Sequence, residues 1–142
     1  MASWDEVCGH LRTRWKVERD EPAAFAIRCP VQVGALDMVL PIGLAPTEVH
    51  GRPWLSLVSD LVAEAGLSAR GALLYADRLP FGSIVLRNDR YLLRHGVAFD
   101  ALRLIDLDWT LKAFAHEAVR LRANLTGPAP ALANDAFGNY AE

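Results

Sequence analysis

The sequence predicts an α+β fold, a twisted antiparallel sheet with N-terminal, middle and C-terminal helices. Three observations carry that prediction. A capped helix opens the chain and a long amphipathic helix stands near its end. Between them, short apolar runs alternate with polar residues and are punctuated by Pro, Gly and Asn-Asp. The order is therefore helix, strands, helix, hairpin, helix, with runs of antiparallel strands and the helices gathered on one side.

Each element has its own signal. In residues 3–14, Ser3 is followed three places later by Glu6, a capping box in which each side chain reaches the other's free backbone N–H. Trp4, Val7 and Leu11 recur at helical spacing, and Trp15 extends the row. Two or three strands are expected next. "WKVERD" is short and "EP" breaks it; "AAFAIRC" runs until Pro30 stops it. "LDMVLPIGL" carries Pro41, which has no N–H for a ladder and suggests an edge strand or a bulge. "APTEVHGRP" reads as a loop. "WLSLVSDLV" reads as a strand running into a turn, with a helix over 53–65 as the close alternative.

Ser68 suits the N-cap of a helix "ARGALLYADRL", with Ala69, Ala72, Leu73 and Ala76 as its apolar positions and Pro80 ending it. "PFGSIVLRNDRYLLRHGVAF" then forms a hairpin. Its turn is Asn88-Asp89, the non-glycine residues that best tolerate positive φ. In the last helix, Leu107, Leu111, Phe114, Ala118, Leu121 and Leu125 make one stripe. Asp106 or Asp108 is expected to cap it, Arg120 and Arg122 suit its C-terminal dipole, and Gly127-Pro128 stop it. The expected organisation is one domain over 1–126 and a Gly/Pro/Ala-rich tail over 127–142, which could dock through Phe137 or Tyr140.

Composition narrows the function classes. The 142 residues are 52% apolar and 23% charged, an ordinary globular balance. With 15 basic and 17 acidic side chains the net charge is -2, which argues against a protein held to nucleic acid by phosphate contacts. Cys8 and Cys29 form no CxxC pair and are expected to be reduced and structural. The first residues lack the apolar run of a signal peptide, and no stretch approaches the ~20 residues of a membrane span. A cytoplasmic protein with no membrane contact is expected.

No chemistry-bearing constellation emerges. His10, His50, His95 and His116 form no HExxH or other tight ligand pair. Cys8 and His10 stand two apart on a helix and point different ways. No glycine pattern cradles phosphate, and no GxSxG elbow is present. The expectation is a protein that is not an enzyme, with no catalytic residue, cofactor or metal.

The hairpin is the informative stretch. With the turn at Asn88-Asp89, Arg87 faces Arg90 and Leu86 faces Tyr91. Alternation sends Ile84, Leu86, Tyr91, Leu93, Val97 and His95 to a core face. Phe81, Val85, Arg87, Arg90, Leu92 and Arg94 go to the other, along with Ser83. Apolar side chains should not stand bare in water, nor arginines be buried unpaired, so some other surface is expected to cover that face. The occupant would be a partner segment, a second subunit or the tail. An alternative reading puts a small anionic ligand or an enzymatic site at "VHGRPW", where His50, Arg52 and Trp54 cluster.

"RGALLYADRLPFGSIVLRNDRYLLRHGVAFDAL" followed by "LDWTLKAFAHEAVRLRANL" resembles the YbjN family and the related type III secretion chaperones of the CesT/Tir kind. The shared pattern is a small helix, an apolar strand pair about a short polar turn, a junction here reading Ala98-Phe99-Asp100-Ala101-Leu102, and an apolar–alanine closing helix. The resemblance implies a chaperone-like α-β-α domain. It also implies frequent homodimerisation, binding of extended protein segments, and no catalytic residues to transfer.

Overall fold

The computed structural model describes residues 2–126, so the expected tail and its docking through Phe137 or Tyr140 lie outside the described residues. Helix α1 spans Trp4–Arg14, followed by β1 (Lys16–Glu21), β2 (Ala24–Val33), β3 (Leu36–Val49) and β4 (Arg52–Ala63). Helix α2 spans Ala69–Ala76, the hairpin is β5 (Ser83–Arg87) and β6 (Arg90–Ala98), and α3 spans Leu104–Thr126. The strands form one six-stranded sheet in the order β1-β2-β3-β4-β6-β5, every pair antiparallel. This is an α+β domain with its helices segregated, as the sequence predicts.

The local signals act as expected at several points. Ser3 and Glu6 close the capping box of α1. Ser68 caps α2 by accepting the Gly71 N–H at 3.0 Å. Asn88 and Asp89 adopt φ of 51° and 65°, the paired left-handed turn that matches strand twist.

The middle of the chain differs from expectation. Strand β2 runs through Pro30, and β3 runs through both Pro41 and Pro46, so "APTEV" and "RP" are strand and only His50-Gly51 turns. Nor is β3 an edge; it lies between β2 and β4. The strands are offset along their lengths, and that stagger accommodates the prolines. Pairing of β1 with β2 ends at Arg28, two residues before Pro30. Pairing of β3 with β4 begins at Gly43, two residues after Pro41, while β2 leaves β3 at Leu44, two residues before Pro46. Each proline sits where one neighbour has stopped, so its missing N–H can face the side that has no ladder.

The core lies between one face of the sheet and the helices. Phe25, Ile27, Leu40, Ile42, Leu55, Leu57 and Leu93 meet Val7 and Leu11 of α1 and Leu107, Leu111 and Phe114 of α3, all fully buried. The predicted α3 stripe is the buried one, with Leu125 partly covered. Helix α3 starts earlier than predicted, at Leu104, so Asp106 and Asp108 lie inside it rather than at its cap. In α2 the buried residues are Ala72 and Tyr75, whose hydroxyl donates to the Asn124 carbonyl; the predicted Leu73 points out, 72% exposed. Leu86, predicted as core, is 51% exposed because β5 is the outer strand of the sheet.

Candidate functional site

The three helices contribute to the buried cluster on one face, so among the described residues the other face of the sheet is uncovered. The register places Ala26, Gly43, Ala45, Ser56, Val58, Leu92 and Val85 across that open face, from β2 to β5. Its floor is built from small residues. A Cβ at Gly43 would meet the Val58 Cγ2 at 3.1 Å. One at Gly96 would meet the Trp54 ring at 3.2 Å, so glycine there lets the indole lie on the sheet.

Two adjoining depressions result, sharing Ser56 and Arg87. The larger, about 580 Å³, is bounded by Thr47, Glu48, Trp54, Ser83 and Arg94. The smaller, about 320 Å³, lies over Ala26, Gly43, Ala45 and Val58, with Arg19 at its margin. Val58, Val85 and Leu92 are only half-buried on this face.

The structure sorts the six residues that the sequence grouped there. Val85, Arg87, Leu92 and Arg94 share the open face, with Val85 opposite Leu92 and Arg94 opposite Val58. Arg90 shares the face but is engaged. Its Nη2 donates to Asp60 Oδ2 at 2.6 Å and its Nε donates to Oδ1, a two-pronged ion pair. That pair leaves Arg87 and Arg94 as the cations of the hairpin without a carboxylate partner among the described residues. Phe81 is not with them. It stacks on His95, ring centroids 4.2 Å apart, and meets Phe114 of α3 edge-on at 6.3 Å. The alternation argument fails at Phe81 because it precedes β5, and Gly82, at φ +82°, redirects the chain. Burial beneath Phe81 holds the His95 imidazole below its ordinary pKa.

The residues of "VHGRPW" do not converge. His50 is at the β3–β4 turn with φ of 50°, Arg52 is exposed and stands 4.0 Å from Asp100, and of these three polar or aromatic residues Trp54 is the one that lines the open-face depression. Burial raises both thiols, Cys8 and Cys29, away from the thiolate form. No group of His, Cys, Asp and Glu among the described residues could hold a metal ion. No helix among them is long and apolar enough to cross a membrane.

One polar cluster was hidden from sequence reasoning. Asp108 Oδ1 accepts from the Trp15 indole N–H at 2.7 Å and lies 2.9 Å from His10 Nε2, while Arg14 Nε is 2.8 Å from Oδ2. Burial alone would push this carboxyl up, but the Trp15 and His10 hydrogen bonds and the charges of His10 and Arg14 outweigh it and hold it below the usual range. Asp108 thus ties α3 to the end of α1 rather than capping a helix.

The sequence matches no known family profile, and no curated protein matches it. Its fold is similar to a chain of a solved structure described as that of the HopA1–SchA chaperone–effector complex. The TM-score is 0.56 at 11% identity, over 82% of this chain and 89% of that one. The likeness is one of fold: both chains share an α+β arrangement of helices on an antiparallel sheet. It agrees with the fold that the resemblance to the chaperones implies and lends nothing to the YbjN family in particular.

Proposed function

We propose that this protein is a non-enzymatic, chaperone-like or regulatory module that binds an extended segment of a partner protein on the open face of its sheet. The observation that carries the reading is that face itself. Among the described residues nothing covers it; it presents Val58, Val85 and Leu92 half-exposed, and it places Arg87 and Arg94 beside the depressions with no carboxylate partner among those residues. A chain crossing it would bury apolar side chains in the depressions and offer carboxylates or carbonyls to the guanidinium groups. The likeness to a chain of a chaperone–effector complex supports protein binding as the class of function. A second copy of the chain could share such a surface, so a homodimer belongs to the same reading, as does a cytoplasmic site of action.

The test is site-specific photocrosslinking in cells from Val85 and Leu92, with the exposed Glu64 as the control position. The reading expects crosslinks to one discrete protein segment from both face positions, lost on Arg87→Glu plus Arg94→Glu. Equal crosslinking from Glu64, or none from the face, overturns it.

A further inference from the structure

A further concavity of about 370 Å³ lies at the margin of the sheet, in the notch where β1 begins and β2 continues without it. Four separate elements bring cations to it: Arg14 from α1, Lys16 from β1, Arg28 from β2 and Lys112 from α3. Among the described residues the carboxylate lining it is Asp108, and its oxygens already meet Trp15, His10 and Arg14. Lys16, Arg28 and Lys112 are exposed, with no carboxylate partner among the described residues. In a chain of net charge -2, this concentrates positive charge at one place.

We infer that this notch is an anion-binding site for an acidic stretch of the partner segment, an inference that rests on the protein-binding reading above. Two features favour a run of carboxylates over a single phosphate group. The cations are long, flexible side chains from four elements rather than a cradle of backbone N–H groups, the usual means of gripping one phosphate. Pro30, whose nitrogen carries no proton, lines the notch beside the unpaired edge of β2. Trp15 adds a flat apolar wall, its N–H already used by Asp108. Lys16 and Arg28 face each other across β1 and β2, so the notch adjoins the margin of the same sheet and one extended segment could span both.

The experiment is fluorescence anisotropy of a labelled peptide of alternating glutamate and leucine, at low and at physiological salt. It compares the wild-type chain, the variant Lys16→Glu, Arg28→Glu, Lys112→Glu, and the open-face variant Arg87→Glu, Arg94→Glu. The substituted residues are exposed, and circular dichroism checks that each variant folds. The expected result is that notch reversal weakens binding by about tenfold or more at low salt, with a smaller loss at physiological salt. The open-face variant should lose clearly less. Three results overturn the notch: no binding by the wild type, equal losses in both variants, or displacement of the peptide by equimolar pyrophosphate. None of these bears on the open face, whose own test is the crosslink from Val85 and Leu92.

Discussion

Asp108 shows how a single residue takes its role from distant neighbours. Its donors lie on a helix and turn at the other end of the chain, so nothing near it in sequence announces them. Replacing it with alanine would leave the Trp15 N–H and the His10 ring without their acceptor, at a cost of about 2 kcal/mol measured by denaturant unfolding. Because its folded pKa is depressed, its contribution is present above the unfolded value of about 3.9 and is lost as pH falls through the folded one. Asp108→Asn should therefore flatten that part of the acid limb of a stability–pH curve. His95 is a lowered base: the fold favours its neutral form, so stability declines as pH drops below about 6.5 towards the folded value. A proton NMR titration should place His95 below its ordinary range, and Phe81→Ala should move it back up.

The elements repeat the lesson at longer range. The hairpin was legible because its turn chemistry and its alternation are both local: Asn88 and Asp89 set the register, and the register decides which side chains share a face. Asp89→Gly, at φ 65°, should stabilise by about 0.5 kcal/mol, since glycine takes that conformation without strain. Gly82→Ala should do the reverse, costing about 1–3 kcal/mol in thermal unfolding. Its φ is +82° and an added Cβ would lie 3.2 Å from both the Arg94 carbonyl oxygen and the Leu93 Cδ1. Strands β3 and β4 were less legible, because a proline read alone is a strand breaker. Whether it breaks a strand depends on whether a neighbour is pairing at that level, and strand offset is a property of the assembled sheet.

For the molecule as a whole, the two faces of the sheet should separate stability from function. Arg87→Glu with Arg94→Glu changes exposed cations that have no ion-pair partner among the described residues, so unfolding free energy should stay within about 0.5 kcal/mol of wild type. Phe81→Ala, grouped with them by sequence, should cost about 2–3 kcal/mol because its ring packs on His95 and Phe114. A matched pair of melting curves tests the contrast. Comparable losses in both would mean that the open face helps to hold the fold, and would argue against its service as a docking surface.

The sequence by itself determined the α+β class, the capped first helix, the α3 stripe, the hairpin turn and the shared face of Val85, Arg87, Leu92 and Arg94. These follow from periodicity, capping and turn chemistry, which act over a few residues. Only the tertiary structure decided the rest. Asp60 claims Arg90, Phe81 turns to the core, and Pro30, Pro41 and Pro46 lie within strands. Arg14, Lys16, Arg28 and Lys112 meet in one notch. Each of these depends on which strand or helix lies alongside at a given level, and pairing between segments far apart in the chain sets that.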